Sequence, residues 1–410
     1  MPGRTWIIAP DPQSLRDRWT HLIAEKDPVR KERLFHPHQG GDKHVNKMAR
    51  ESLAGVEHRS LSVAKDSNSV VTPIRYGFRS FDRQWLIPDN RLINRPNPTV
   101  WALHSLKQVY LTALTRHSPT SGPALTFTGL IPDLHHYKGS FGGRVFPMGL
   151  DATGTVSNIR PAILTVLSRA CRRDVSGEDL VAYIAAVAAH PAYTARFRSD
   201  LVRPGLRIPL TAEPGLFFEA VDLGREVVWL HTFGERFAAP DSGRPSAPPR
   251  LPPEATPRIP KGGAIPSDAD NLAYDPAARR LIIGGSGLVE NVTPAMWAYE
   301  VSGKPVLSHW FSYRRRTRDR PIIGDRRAPS PLGAIQPDGW LAEYTTELLN
   351  LLNVLGRLAA LEPLQARLLD RLCAGALLSS DLLKAAGAFD IPAGFAVREA
   401  GDSAQMTLLD

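Results

Sequence analysis

Arg75-Tyr-Gly-Phe-Arg-Ser-Phe-Asp-Arg-Gln-Trp85, running on through Leu86 and Ile87, is the stretch on which the reading of this chain turns. Aromatic rings and guanidinium groups alternate along it, the period of a strand that turns rings to a core and charge to solvent. Tyr76, Phe78 and Trp85 are therefore expected inside, with Arg75, Arg79 and Arg83 outside and Arg91 and Arg95 close behind. Further short β-type runs follow at 108–111, 124–128 and 144–146, punctuated by Pro and Gly.

Away from that window the pattern is helical. Leu15, Trp19, Leu22 and Ile23 share one face of a predicted helix over 11–26, with Asp11 as N-cap and Pro12 in the first turn. Ser176 caps another, whose first turn carries Glu178 and Asp179 as the helix dipole prefers. Helices are also expected over 159–173, 193–201, 216–231, 340–361 and 363–378. Gly224 falls inside the 216–231 pattern at a cost of about 1 kcal/mol relative to Ala, so a packing reason is expected for it. Residues 36–70 are polar and aperiodic and read as a connector, not a core element. The Pro-rich segment 240–266 reads as an extended strap or semi-rigid linker. Beyond it come a hairpin turning at Asp275-Pro276, a single helical turn from Pro294, and strand or helix over 305–311.

Strands gathered in one region with helices segregated around it make the fold class α+β. The division expected is 1–72, an N-terminal helix and connector; 73–239, β-rich over 73–150 and helical over 151–239; a 240–270 linker; 271–336, a hairpin and basic loop; and 337–410, helical.

The chain carries 50 Lys+Arg against 41 Asp+Glu, a formal charge of +9 that favours a polyanionic partner. No apolar run approaches the ~20 residues that span a bilayer, so no membrane is expected as partner. Two cysteines, Cys171 and Cys373, cannot form a disulfide framework, and a reducing cytoplasm is the expected compartment.

Motifs that carry chemistry are missing where an enzyme needs them. There is no Gly-x-x-x-x-Gly-Lys-Ser/Thr phosphate loop, no Gly-x-Ser-x-Gly elbow, no His-Glu-x-x-His helix and no Asn/Asp-Pro-Pro-Tyr/Phe base-holding loop. The nearest cluster is Pro132-Asp-Leu-His-His-Tyr-Lys138, where Asp133, His135, His136 and Lys138 are residue types that bind metal or shuttle protons. Adjacent histidines point apart from one backbone, which favours a loop that hydrogen-bonds phosphates or bases. Gly139-Ser-Phe-Gly-Gly-Arg-Val145 follows, its glycines letting backbone N–H groups approach an anion beside Arg144. A second cationic stretch, Tyr313-Arg-Arg-Arg-Thr-Arg-Asp-Arg320, continues to Arg326 and Arg327: seven arginines against two aspartates, with no lysine. The planar guanidinium fork suits bidentate contact with phosphate or guanine; a solvated basic loop is the blander reading.

The block Pro73 to Leu92 resembles the segment that follows the methyltransferase in Type ISP restriction–modification enzymes. So do Thr120-Ser-Gly-Pro-Ala-Leu-Thr-Phe-Thr-Gly-Leu-Ile-Pro-Asp-Leu-His-His-Tyr-Lys-Gly139, Tyr183-Ile-Ala-Ala-Val-Ala-Ala-His-Pro-Ala-Tyr193, Arg207-Ile-Pro-Leu210 and the block from Val292 to Gly303, in the same order. In that family such a region is the C-terminal specificity, or target-recognition, domain. The resemblance implies a sheet-containing target-recognition unit with a helical insert and a C-terminal helical spacer, and double-stranded DNA as partner. It places catalysis on nuclease, helicase-like ATPase and adenine-N6 methyltransferase parts, met in trans by a split product or remnant of a longer enzyme. S-adenosylmethionine, ATP and Mg belong to those parts, and no cofactor is implied for this chain.

On this reading base-edge contacts come from Arg75, Arg79, Arg83 or Arg144. Phosphate contacts come from Lys138 and from Arg314, Arg315, Arg316, Arg318 and Arg320, with His135 and His136 in the same DNA-contacting loop. Two rival readings are an assembly subunit docking through a leucine stripe on 340–361, and a metal-dependent hydrolase built on Asp133, His135 and His136.

Overall fold

The computed structural model describes residues 3–38, 41, 43–49, 51–114, 116–140, 142–203, 205–316 and 327–390; Arg318, Arg320 and Arg326 lie outside the described residues. Strand β1 (Ile8–Ala9) leads into helix α1 (Pro12–Ala24), whose first turn is closed by Asp11 accepting from the Ser14 N–H at 2.7 Å, and α2 (Pro28–Phe35) follows. Strands β2 (Ile74–Arg79) and β3 (Asp82–Leu86) form an antiparallel hairpin with Arg75 opposite Trp85 and Gly77 opposite Arg83. Its register shifts between Gly77 and Arg79, and β1 pairs with the far edge of β3 to give the order β1-β3-β2.

After α3 (Pro98–Leu103), strands β4 (Tyr110–Ala113), β5 (Leu125–Thr128) and β6 (Arg144–Pro147) make a second sheet with β4 at its centre. A helical block of α4 (Pro161–Cys171), α5 (Gly177–Ala188), α6 (Pro191–Arg196) and α7 (Pro214–His231) comes next. Then follow the meander β7 (Leu272–Asp275), β8 (Arg280–Ile283) and β9 (Gly287–Val289), the helix α8 (Pro294–Ala298) and the small hairpin β10 (Glu300–Val301) and β11 (Lys304–Pro305). Helices α9 (Val306–Ser312), α10 (Ala342–Ala374) and α11 (Ser380–Ala385) close the described chain. Helices packed beside small antiparallel sheets make the fold α+β, and no described helix is long and apolar enough to cross a membrane.

Three expectations change, and one left open is settled. Strand β9 joins the β7–β8 hairpin, and of the two readings open for 305–311 the helix is the one formed, over 306–312. The two C-terminal helices are one: α10 runs through Pro363, because burial of Leu351, Leu355 and Leu358 before it and of Leu368, Leu369 and Leu372 after it outweighs the lost hydrogen bond. The described residues of the stretch 36–70 form no helix or strand, yet they send Val45, Leu53 and Val63 into a core.

Apolar side chains gather in two cores. The smaller holds Trp6, Leu15, Trp19 and Phe35 with Tyr76 and Phe78 of β2. The larger is built on α5, α7 and α10 and takes in Phe81, at the turn of the same hairpin. Where α5 and α7 cross, a Cβ on Gly224 would lie 1.7 Å from the Ala182 carbonyl oxygen, which is the packing reason expected for that glycine. The Pro-rich strap lies against the larger core: the Trp229 indole donates to Pro245 O at 2.9 Å, and the Leu251 N–H donates to the buried Asn353 of α10 at 2.8 Å.

Candidate functional site

Each arginine of the β2–β3 hairpin is held between an aromatic ring and a carboxylate supplied from another part of the chain. Arg75 Nη2 lies 2.7 Å from Glu347 Oε1 of α10, with its guanidinium 4.9 Å from the Trp85 ring centre. Arg79 Nη1 lies 2.9 Å from Asp133 Oδ1, and its guanidinium is 3.7 Å from the centre of Phe78. Arg83 Nη1 lies 2.5 Å from Glu235 Oε1, and its guanidinium is 4.2 Å from the centre of Phe233. Ring and carboxylate together fix both the plane and the edge of each fork. Burial and the neighbouring Arg75 charge lower the pKa of Arg83, and Glu235 opposes them. Tyr76 and Phe78 are buried as the alternation predicts, and Trp85 is partly so.

The loop 131–143 is laced to this hairpin through its backbone: Gly77 N–H to Ile131 O at 2.9 Å, Asp133 N–H to Gly77 O at 2.8 Å, and Ser80 N–H to His136 O at 2.7 Å. Asp133 is buried and also accepts from the Tyr76 hydroxyl at 3.2 Å. Burial pushes its carboxyl up, but the Arg79 charge, the hydrogen bond from the His135 N–H and the other positive charges around it together outweigh this and hold it below the usual carboxylate range. His136 is buried with Nδ1 3.0 Å from Thr112 Oγ1, at the end of a hydroxyl chain through Thr126 and Ser80. Burial, with the Arg79 charge adding, pushes it down to about 3. His135, half-buried, accepts from the Gly142 N–H at 3.0 Å and so shapes the glycine-rich turn. Lys138 lines a narrow cleft with Arg79, Lys304 and His309, and burial and the Lys304 charge lower its pKa. Arg144 opens β6 opposite Ala113.

The metal-dependent hydrolase reading draws no support from these contacts. Asp133 accepts from Arg79 and Tyr76, His135 accepts from the Gly142 N–H, and His136 Nδ1 lies beside Thr112 Oγ1, so each side chain already has a partner within the fold. Among the described residues no group of three His, Cys, Asp or Glu is placed to hold a metal ion.

Arg314 departs from the expectation of a surface phosphate contact. It is buried, with Nη2 2.9 Å from Asp82 Oδ1 and 3.1 Å from Glu347 Oε2, and its guanidinium lies 3.9 Å from a Trp310 ring centre. The cause is the convergence of two acids remote in sequence on the end of α9. Arg315 and Arg316 beside it are exposed. The leucine stripe on 340–361, through which the assembly reading would dock, is internal, with Leu348, Leu351, Leu352, Leu355 and Leu358 buried.

The structure therefore brings Arg75, Arg79, Arg83, His135, His136 and Lys138 together and adds residues that sequence reasoning missed: Phe233, Glu235, Lys304, His309 and Glu347. Phe233-Gly-Glu235 reads from sequence only as the end of a helix. Nothing in it pairs a glutamate with an arginine far upstream.

Fold and site together define an α+β recognition module organised around an arginine-bearing antiparallel hairpin. The family model of the Type ISP C-terminal specificity domain matches residues 1–351, and the chain belongs to that family. Its fold is similar to that of the DrdV–DNA complex determined by cryoEM, at a TM-score of 0.57 and 16% identity, covering 90% of this chain and 35% of that one. It is also similar to the ATP-dependent Type ISP restriction-modification enzyme LlaBIII bound to DNA, at a TM-score of 0.52 and 14% identity, covering 90% of this chain and 22% of that one. The chain thus spans about a third or less of the length of these neighbours. No curated protein matches it.

Proposed function

We propose that this chain reads the sequence of double-stranded DNA as the specificity module of a Type ISP restriction–modification system. The observation that carries the reading is the hairpin itself: three guanidinium groups, pre-oriented by rings and carboxylates, on one short β-ribbon of the size that a major groove admits. Membership of a specificity-domain family and likeness in fold to enzymes solved with DNA support it. Reading is assigned to the unit 73–239, with Arg75, Arg83 and Arg144 at base edges and Arg79 holding the loop that carries His135 and Lys138. Backbone phosphates are assigned to Arg315, Arg316 and Lys138, and Arg314 to bracing the hairpin from within. Methylation of adenine and cleavage are assigned to partner parts that carry S-adenosylmethionine, ATP and Mg. Assembly with those parts is a second role of the chain, and the buried leucines of α10 leave it to other surfaces.

Titrating duplex DNA at several salt concentrations tests the reading. Binding is expected to fall steeply with salt, and the double variant Arg315→Ala/Arg316→Ala to weaken it on every sequence alike, flattening the log–log slope by about 0.9 for each phosphate no longer neutralised. Salt-insensitive binding, or none, would defeat the proposal.

A further inference from the structure

The Arg83–Glu235 pair lines a narrow cleft together with Gly77 and Arg79 of β2, the residues 127–130, His136 and the turn that ends α7. That turn is built with unusual rigidity. Phe233 adopts the left-handed backbone at φ +55°, which a bulky side chain rarely does, and Gly234 follows at +85°. A Cβ on Gly234 would meet the Ala247 carbonyl oxygen, so the strap backs the turn. Arg236, buried, donates to Gln108 O at 2.9 Å, Gly129 O at 2.9 Å and Ser105 O at 3.1 Å. Phe233 is thereby set under the Arg83 guanidinium and Glu235 against its edge, with Glu235 the more exposed of the pair, 39% against 20%.

Two features of the cleft point to a polar group entering from outside the chain. His231, 3% exposed, lines it, and its Nδ1 accepts from the Phe127 N–H at 3.1 Å, so the neutral ring carries its proton on Nε2. That Nε2 meets no acceptor among the described residues. The cleft has room for a group about the size of a water molecule, which an exocyclic oxygen or amine matches and a whole base far exceeds. An edge read in place fits these dimensions; an extruded base does not.

We propose that Glu235 is a specificity-determining residue, and that the Arg83–Glu235 pair reads a single G·C base pair in the major groove. The inference rests on the DNA reading proposed above. In the major groove G presents two acceptors, N7 and O6, and its partner C presents one donor, the N4 amine. A guanidinium fork beside a carboxylate is complementary to that order, whereas A·T interposes a donor between acceptors and adds a methyl group. The carboxylate also repels phosphate, which keeps this pair at base edges and away from the backbone.

Selection from a pool of randomised duplexes by the full chain, with sequencing of the bound fraction, tests this. The wild-type chain is expected to enrich a motif containing an obligatory G·C pair. In Glu235→Gln, whose amide both donates and accepts, preference at that one position should fall from roughly 5- to 150-fold toward unity while the rest of the motif and the salt slope persist. Arg83→Gln should relax the same position. A Glu235→Gln motif identical to wild type, or a uniform gain in affinity on all sequences, would overturn the proposal and leave Glu235 as a mask over Arg83. Failure of the wild-type chain to enrich any sequence would instead bring down the underlying DNA reading, and this inference with it.

Discussion

Removing the Arg314 guanidinium leaves Asp82 and Glu347 facing the space that it neutralised, with Asp82 almost fully buried. Arg314→Met is expected to lower the free energy of unfolding by about 3–5 kcal/mol, because an uncompensated buried charge is costlier than the pair itself is stabilising. Urea denaturation followed by tryptophan fluorescence measures it, and a loss below 1 kcal/mol would mean that the carboxylates find other partners. Of these residues the sequence showed only one half. Alternation placed Tyr76 and Phe78 in the core because period two is a local property of a strand. The acids that hold the arginines come from positions 133, 235 and 347, and no local pattern connects them to the hairpin. The same gap made Arg314 look like its exposed neighbours Arg315 and Arg316, since burial depends on what α9 docks against.

At the scale of elements, α5 and α7 pack so closely at Gly224 that there is no room for a side chain there. Adding a methyl group at Gly224 raises helix propensity by about 1 kcal/mol, yet it would drive a carbon into the Ala182 carbonyl. Gly224→Ala is therefore expected to be destabilising by about 1–3 kcal/mol net, the sign of an overpacked core, read as a lower thermal midpoint. A midpoint equal to or above wild type would show that the two helices can separate without loss. Helix starts were legible because caps are local: Asp11 and Ser176 both accept from backbone N–H groups of their own first turns. Helix ends were less so. Pro363 reads as a break, but α10 is clamped by apolar burial on both sides of it, a tertiary fact absent from any short window. Strand β9 was hidden for a similar reason, since Gly287–Val289 is three residues long and is specified by the β8 edge it joins.

Taken as a whole, the molecule keeps three imidazoles buried and neutral: His136 and His231 are pushed down by burial to about 3, and His190 to about 4. The unfolded chain takes up protons near pH 6.5 that these folded sites refuse. Their contribution is therefore complete above that pH and drains away as pH falls toward 4, at about 1.4 kcal/mol per unit for each ring. Glu362, raised by burial to about 7, works in the opposite sense between pH 7 and 4.5 and offsets one ring of the three. Net stability is expected to fall from pH 7 to 4.5, above the range where Asp133 titrates; an unfolding midpoint that stays flat across that window would contradict the burial of these rings. The hairpin also spans both cores, with Phe78 anchored in one and Phe81 in the other. It follows that the hairpin is not a detachable cassette. A hairpin moved elsewhere leaves behind the acids that aim its arginines, so on the proposed DNA reading retargeting is expected to need concerted changes at 133, 235 and 347 together with the hairpin, single replacements yielding looser recognition before a new site.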